Sequence, residues 1–257
     1  MKKKNLMMAF AIIFTAGISM VGMTACDSTE YFTYADAGKY SVGGANIEST
    51  ITDIEIDWVS GNVNVAYGDV ENVTFSEQAQ ETLSQETTMH YWLENATLHI
   101  KYAKSGIKLT NTEQPAKDLT VLLPASLVLN ELEIDSVDAN VTVTDLNVQD
   151  VEIDNVAGNI DATFASIHDF SVSLVSGNAT MRFATVPKEG DYSNVHGDLT
   201  LYLPADTGFT AEMSKINGSF ESEFDTIKQG DKYVCGNGAN EYEFETVDGD
   251  IFVKKLS

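Results

Sequence analysis

Carboxylates are the side chains through which this chain is best equipped to do chemistry. It contains 39 Asp and Glu residues against 15 Lys and Arg, and its formal net charge is −24. Asp57, Asp135 and Asp154 follow the same local pattern of alternating apolar residues, so we expect them to stack in one column. Carboxylate oxygens suit calcium, although no calcium-loop sequence surrounds them. A solvated acidic face is the alternative interpretation, and other cofactors are not expected.

Paired acids also occur in enzymes that cleave polysaccharides. With so many acids, chance pairs carry little weight, and Arg182 is the single arginine that could assist such a pair. The four histidines lack metal-ligand spacing, and neither a nucleophile elbow nor a phosphate-binding loop is present. The sequence therefore favours a protein that is not an enzyme. Its negative charge also disfavours nucleic acid as a partner.

The N-terminus has the organisation of an export signal. Lys2, Lys3 and Lys4 precede an apolar stretch, which ends in Met23-Thr24-Ala25-Cys26. These last residues resemble the lipobox of bacterial lipoproteins, in which the cysteine is acylated and becomes the first mature residue. The alternative is an ordinary secretory signal with an incidental cysteine. The sequence thus predicts an extracytoplasmic protein attached to the cell membrane by a lipid on Cys26.

Aromatic residues provide candidate contacts for a partner. Tyr91 and Trp92 fall in an irregular part of the chain, and Trp58 occupies a repeat position that is mostly polar in the other copies. An outward tryptophan there would be a plausible recognition residue. The alternative is that Trp58 packs beneath the polar segment 77–88.

These residues are carried by a repeated twelve-residue pattern of apolar positions around a central glycine. Period-two alternation on both sides of the glycine indicates two short strands joined at a bend. The central copies lie 19 to 21 residues apart, which predicts stacking of successive coils. The pattern recurs at 54–65, 132–143, 151–162, 170–181, 190–201, 211–222 and 242–253. The predicted fold is all-β, a single-stranded right-handed parallel β-helix, or β-solenoid.

The position after the glycine is usually Asn or Asp. Stacking in consecutive coils would align these side chains into a structural hydrogen-bonded ladder. The predicted members are Asn62, Asn140, Asn159, Asn178, Asp198 and Asp250.

The predicted domain organisation follows from these patterns. Residues 1–25 form the lipoprotein signal peptide, 26–45 a tether, and 46–257 one β-helix domain. Within that domain, 68–118 is irregular, either as degenerate coils or as a small antiparallel cap, and 223–240 is an inserted loop or hairpin. We expect the last residues, including Lys254 and Lys255, to protect the terminal coil by their charge.

Several motifs carry a family resemblance. The Val-x-Gly-Asn/Asp units, the strand ends Leu123-Pro124-Ala125 and Leu203-Pro204-Ala205, and the final segment 245–251 resemble the bacterial DUF4097 adhesin-like family. They are more distantly similar to GIN-type adhesin-head domains. The resemblance implies a right-handed β-helix on an envelope protein, an adhesive or envelope-stress role, and no catalytic residues.

Together these features predict a non-catalytic adhesive or interaction module at the cell surface, with an unknown protein or glycan as ligand. The main alternative is envelope-stress sensing, or sequestration of cationic peptides at the membrane. Polysaccharide cleavage is the weakest of the three hypotheses.

Overall fold

A computed structural model describes residues 30–109 and 115–256 of the chain, so Cys26 lies outside the described residues. Within those ranges the structure is built from strands, with one short 3-10 turn at Ala37–Lys39. The strands in chain order are β1 (Glu30–Phe32), β2 (Ser41–Val42), β3 (Ala45–Ile47), β4 (Asp53–Gly68), β5 (Val73–Ala79), β6 (His90–Glu94), β7 (Thr97–Lys101), β8 (Ile107–Leu109), β9 (Lys117–Pro124), β10 (Leu129–Ala157), β11 (Ile160–Ser166), β12 (Asp169–Ser176), β13 (Ala179–Phe183), β14 (Glu189–His196), β15 (Leu199–Leu203), β16 (Phe209–Asn217), β17 (Phe220–Ser222), β18 (Thr226–Gln229), β19 (Lys232–Cys235), β20 (Asn240–Asp248) and β21 (Ile251–Lys255).

Each repeat forms a coil whose two strands lie in two layers. In β12 the alternation of side chains buries Phe170, Val172 and Leu174 and turns the residues between them outward. After a bend, β13 repeats the alternation in the second layer and contributes to the same apolar core. We call these the A layer and the B layer. The fold is therefore all-β and solenoid-like, as predicted.

The layers are defined by their strands. The A layer contains β2, β6, β7, residues 53–58 of β4, residues 131–136 and 150–157 of β10, and β12, β14, β20, β16, β19 and β18. The B layer contains β3, β5, β9, residues 61–68 of β4, residues 139–147 of β10, and β11, β13, β15, β21 and β17.

Parallel pairing confirms the predicted period in the centre of the stack. Asp150 pairs with Asp169, and Asp169 pairs with Glu189, so equivalent residues of consecutive coils lie side by side. Since each such coil buries its apolar face against the next one, stability comes from stacking rather than from any single repeat.

The bend between the layers explains the recurring glycine. Gly177 has a positive φ of 140°, and a Cβ there would collide with the carbonyl oxygen of Gly158 in the coil before it. The same close approach links Gly197 to Gly177. Glycine is needed because neighbouring backbones meet where any side chain would stand.

The Asn/Asp positions form a continuous ladder along this bend. The Oδ1 of Asn140 accepts from the backbone N–H of Asn159 at 3.0 Å, and Asn159 accepts from Asn178 at 3.0 Å. The ladder continues through Asp198 to Asp250, and Asn62 joins it at the other end through the amide of Asn140. From Asn140 onward, each side chain therefore accepts from a backbone N–H of the next coil.

The order of coils at the C-terminal end differs from the order in the sequence. In the A layer, β14 pairs with β20, and β20 pairs with β16, so the last coil of the chain lies between two earlier ones. The prediction that Lys254 and Lys255 protect the terminal coil is therefore wrong. Both residues lie in β21, which is flanked by β15 and β17 inside the stack.

The inserted segment covers the end of the stack. Strands β18 and β19 form an antiparallel hairpin within 223–240, as one of the predicted alternatives required. Strand β19 then pairs antiparallel with β16, which is the last parallel strand of the A layer. Cys235 at the end of this hairpin is buried, with its sulfur 3.4 Å from the carbonyl oxygen of Thr207.

The irregular segment 68–118 combines the two predicted alternatives. Strands β7 and β9 pair parallel with the two halves of β4 and so form another coil. Strands β6 and β5 then pair antiparallel with β7 and β9 and cap this end of the molecule. The stack order is again inverted, because β4 lies between the later segments β7–β9 and β10.

Residues 30–45 lie against the body, although the sequence pattern indicated a tether. Strand β1 pairs antiparallel with β8, and Phe32 is buried. Tyr34 donates from its hydroxyl to the carbonyl of Ala103, and its own carbonyl accepts from Ser105. The aromatic residues of this segment provide the apolar area that holds it in place.

Candidate functional site

The outer face of the A layer is strongly acidic. Its strands present three outward columns, and carboxylates occupy most of the positions in them. The acidic positions are Asp53, Glu55, Asp57, Glu131, Glu133, Asp135, Asp150, Glu152, Asp154, Asp169, Glu189, Asp191, Glu212, Glu241, Glu243 and Glu245. We call this surface the acidic face. Because the strands are parallel and in register, like charges lie directly beside one another from coil to coil.

The outer face of the B layer has a different chemistry. Its central and C-terminal part carries mainly hydroxyl, aromatic and basic side chains, namely Thr142, Thr180, Arg182, Thr200, Tyr202, Phe252 and Lys254, with the acids Asp161 and Glu221 in the same columns. Arg182 and Lys254 both lie over the ring of Tyr202, at 5.3 and 5.8 Å from its centroid. The negative charge of the protein is therefore concentrated on one of its two broad faces.

One buried ion cluster lies at the N-terminal end of the acidic face. The ammonium of Lys101, only 3% exposed, donates to Glu55 at 2.5 Å and also to Asp57. The Nδ1 of His99 lies 2.8 Å from the other oxygen of Glu55. Burial opposes ionisation of Glu55, but these hydrogen bonds outweigh it and lower its pKa to about 2. Glu55 is therefore held as a carboxylate.

The next coil adds two acids without adding a base. Glu133 pairs in register with Glu55, and Asp135 pairs with Asp57. Burial raises the pKa of Asp135 to about 8, and repulsion by Asp57 and Glu133 adds to this effect. Burial and the neighbouring carboxylates likewise raise the pKa of Glu133 to about 7. This part of the acidic face thus holds more carboxyl groups than Lys101 can keep ionised.

The docked N-terminal segment contributes to the burial of the cluster. Tyr34 and Tyr40 lie close enough to interact electrostatically with Lys101 and Asp57. Burial raises the pKa of Tyr40 to about 12, so its hydroxyl is neutral at physiological pH. Sequence analysis missed Lys101. The alternating pattern of its strand was visible, but its pairing with Asp57 depends on the inverted order of coils.

The predicted calcium ligands share a column but do not converge on a common point. Asp57, Asp135 and Asp154 come from consecutive coils, and Asp154 is hydrogen-bonded by Ser173. Within 30–109 and 115–256, three potential metal ligands lie within 4.8 Å of one another only at Asp150, His168 and Asp169. All three of these side chains are at least partly exposed.

The prediction that Trp58 is an outward contact residue is wrong. Its side chain is fully buried, and its indole N–H donates to the carbonyl of Lys117 at 3.0 Å. This repeat position points inward at the bend, where polar members such as Asn155 and Asn194 donate to backbone carbonyls. Polarity therefore reflects the bend and not solvent at the buried members Ser136, Asn155, Asn194 and Thr246, whereas Lys215 at the same position is exposed.

Segment 77–88 is linked to Trp58 through the ammonium of Lys117, which residues of this segment help to hold. Lys117 is buried with its nitrogen 4.9 Å from the Trp58 ring centroid. That nitrogen is 2.7 Å from Glu77 and donates to the carbonyl of Thr87 at 2.8 Å. Burial lowers the pKa of Lys117 to about 8, with Glu77 opposing the shift.

Tyr91 and Trp92 are half-buried and remain candidate contacts. Tyr91 packs edge-on against Phe75, with ring centroids 5.0 Å apart. Trp92 stacks on His99 at 5.5 Å, and the ammonium of Lys39 lies 4.4 Å from its ring centroid. Trp92 thus borders the ion cluster and the acidic face.

A solved structure with a TM-score above 0.5 supports the fold. A putative cell adhesion protein from Clostridium sporogenes ATCC 15579 is 14% identical with a TM-score of 0.51, and the match covers 85% of this chain and all of the other. A putative adhesin from Bacteroides fragilis NCTC 9343 is 12% identical with a TM-score of 0.45, covering 85% and 97% of the two chains. No curated protein matches the sequence.

The described residues include no helix with the length and apolarity needed to cross a bilayer. The model of the family described as Toastrack DUF4097 matches residues 45–254. This range includes both layers, from the start of β3 to the penultimate residue of β21. This match confirms the resemblance that the glycine bends and strand ends indicated. The chain belongs to the DUF4097 family.

Proposed function

We propose that this protein is a non-catalytic interaction module outside the cytoplasm, which adheres to a cationic partner through its acidic face. The observation that carries the proposal is the concentration of in-register carboxylates on the A layer. Such a surface attracts positively charged segments over several ångströms and orients them as they approach. The adhesive description of the Clostridium protein is consistent with this role.

A charge-matched pair of variants tests the role of the acidic face. Glu189→Gln, Asp191→Asn and Glu243→Gln together remove three exposed, adjacent charges from it. Glu48→Gln, Asp69→Asn and Asp206→Asn remove three exposed charges from other parts of the surface. The probe is a fluorescent oligolysine peptide, and its affinity is measured by anisotropy at several salt concentrations.

We expect the first triple variant to bind the peptide about tenfold more weakly, because three exposed contacts of about 0.5 kcal/mol each add up to that factor. The second variant should bind like the parent protein. Affinity should also fall steeply with added salt, as screening predicts. Equal losses in the two variants would show that net charge, and not this face, attracts the peptide.

The class of partner is resolved by a crosslinking capture experiment. The purified protein is exposed to envelope extract of its own cell and, in parallel, to host matrix and cell-surface extract. Saturable capture from the host material supports adhesion. Capture of an envelope component alone supports the alternative of stress sensing, and preferential capture of short cationic peptides supports sequestration.

We further propose that Cys26 carries the lipid that anchors the protein. The lipobox-like segment before it supports this assignment. Cys26→Ser should abolish incorporation of labelled palmitate and release the protein from the membrane fraction, whereas Cys235→Ser should change neither. A Cys26→Ser protein that stays labelled and membrane-bound would contradict the assignment.

The right-handed sense of the β-helix is likewise a proposal. Connections between parallel strands of one sheet are right-handed in nearly all known cases, which supports it. An experimental electron-density map would show the winding directly, and left-handed coils would refute it.

A further inference from the structure

Asp57 has a carboxylate oxygen without a partner. The side chain is fully buried, and its Oδ2 accepts from Lys101. Its Oδ1 has no hydrogen-bond donor among the residues that the structure describes. A buried carboxylate oxygen without a partner is destabilising, so a positively charged species near it would be stabilised.

Further carboxyl groups surround Asp57 on its own strand and on the next one. Its strand lies between β7, which provides Lys101, and β10, which provides Asp135. Asp135 is only 8% exposed, and Glu55 and Glu133 form the next pair along the same two strands. Lys101 pairs with Glu55 and Asp57, and His99 pairs with Glu55, whereas Glu133 and Asp135 lie beside these carboxylates on the next strand without a base of their own. The raised pKa values of Asp135 and Glu133 reflect this excess of carboxyl groups.

The spacing of the two strands favours one class of ion. Neighbouring strands lie about 4.8 Å apart, and equivalent side chains repeat at that distance. Calcium binds oxygens at about 2.3 to 2.6 Å, so one ion fits midway between two such carboxylates. Magnesium needs about 2.0 to 2.1 Å and gives up its waters reluctantly, so it fits this spacing less well.

We propose that a calcium ion binds between Asp57 Oδ1 and the carboxylate of Asp135, with water completing the coordination. Asp154 is not part of the site, because Ser173 already donates to it. The inference goes beyond the proposed partner binding and does not depend on it. With two protein carboxylates, the affinity should be that of extracellular calcium modules, a Kd of about 10⁻⁴ to 10⁻³ M.

The test is calorimetric titration of the purified protein with calcium chloride after removal of divalent ions, at constant ionic strength. Asp135→Asn removes one ligand charge with little change of shape. Glu241→Gln is the matched control, since it removes one charge from an exposed position of the acidic face. His168→Ala tests the exposed group of Asp150, His168 and Asp169. Thermal melts of each variant, with and without calcium, provide a second readout.

The expected result is saturable calcium binding and a calcium-dependent rise in Tm in the parent protein, Glu241→Gln and His168→Ala, both lost in Asp135→Asn. Magnesium at the same concentration should reproduce neither. Binding that survives Asp135→Asn, or that disappears in His168→Ala, would overturn the assignment. Absence of saturable binding in the parent protein would also overturn it, and would mean that a proton or a water molecule satisfies Asp57.

Discussion

Replacing Gly177 with alanine should destabilise the protein by at least about 3 kcal/mol. The backbone of Gly177 has a positive φ, where an L-residue is strained. The added methyl group would also collide with the carbonyl oxygen of Gly158, which is fixed by the pairing of adjacent coils. The methyl group is fixed to the backbone and the carbonyl oxygen is part of it, so neither can move aside as the end of a flexible side chain could. Urea denaturation measures the loss in the free energy of unfolding.

Gly38→Ala is the matched control for this experiment. A Cβ at Gly38 would meet no atom within 4 Å, and its backbone lies outside the left-handed region. The substitution should therefore change stability by no more than about 0.5 kcal/mol. Similar losses at the two positions would show that the bends do not approach each other as closely as described.

Lys101→Met should have the second-largest effect, a loss of about 3 to 5 kcal/mol. Lys101 is almost fully buried and is the ammonium that faces both Asp57 and Glu55. Methionine fills a similar volume but leaves these carboxylates without their buried counter-charge. The measurement is again the free energy of unfolding, in buffer free of divalent ions.

Two further variants define the cause of that loss. Lys104→Met removes an exposed lysine whose partner Glu86 is also exposed, so it should cost less than about 1 kcal/mol. Adding Asp57→Asn to Lys101→Met should recover part of the stability, because it removes an uncompensated buried charge. If Lys101→Met is no more harmful than Lys104→Met, the cluster does not depend on its ammonium.

Local pattern was sufficient to predict the repeating unit. Alternation around Gly158 and Gly177 predicted two strands and a bend, and the Asn159 and Asn178 positions predicted the ladder. Both features depend on interactions between equivalent residues of adjacent coils, which repeat with the sequence itself. Period and residue type therefore contain the information that determines them.

The order of coils could not be predicted in the same way. Nothing in the local pattern of β16 or β20 specifies which of them lies beside β14, since all three have the same alternation. The choice depends on how the connecting segments reach across the end of the stack. For the same reason the pairing of Lys101 with Asp57, which places the ion cluster, was not visible in the sequence.

Trp58 shows a different limit of sequence analysis. Its repeat position is polar in most copies, and polarity usually indicates exposure. At this bend, however, buried amides such as Asn155 donate to the carbonyl oxygens that the turn leaves free. The position is therefore interior whether it is occupied by an amide or by an indole.

The inverted order of coils also bears on how the molecule is completed during synthesis. In an ordinary repeat array, each new unit docks on the one just made, and the end units can fray independently. Here the coil of β16 and β17 contacts the body through β20 and β21, which are made after it. Strands β20 and β21 therefore close the stack, and a nascent or truncated chain that lacks them would leave β14, β15, β16 and β17 without these partners. The intact stack should therefore open and close as a single cooperative unit, without losing its last repeats one at a time.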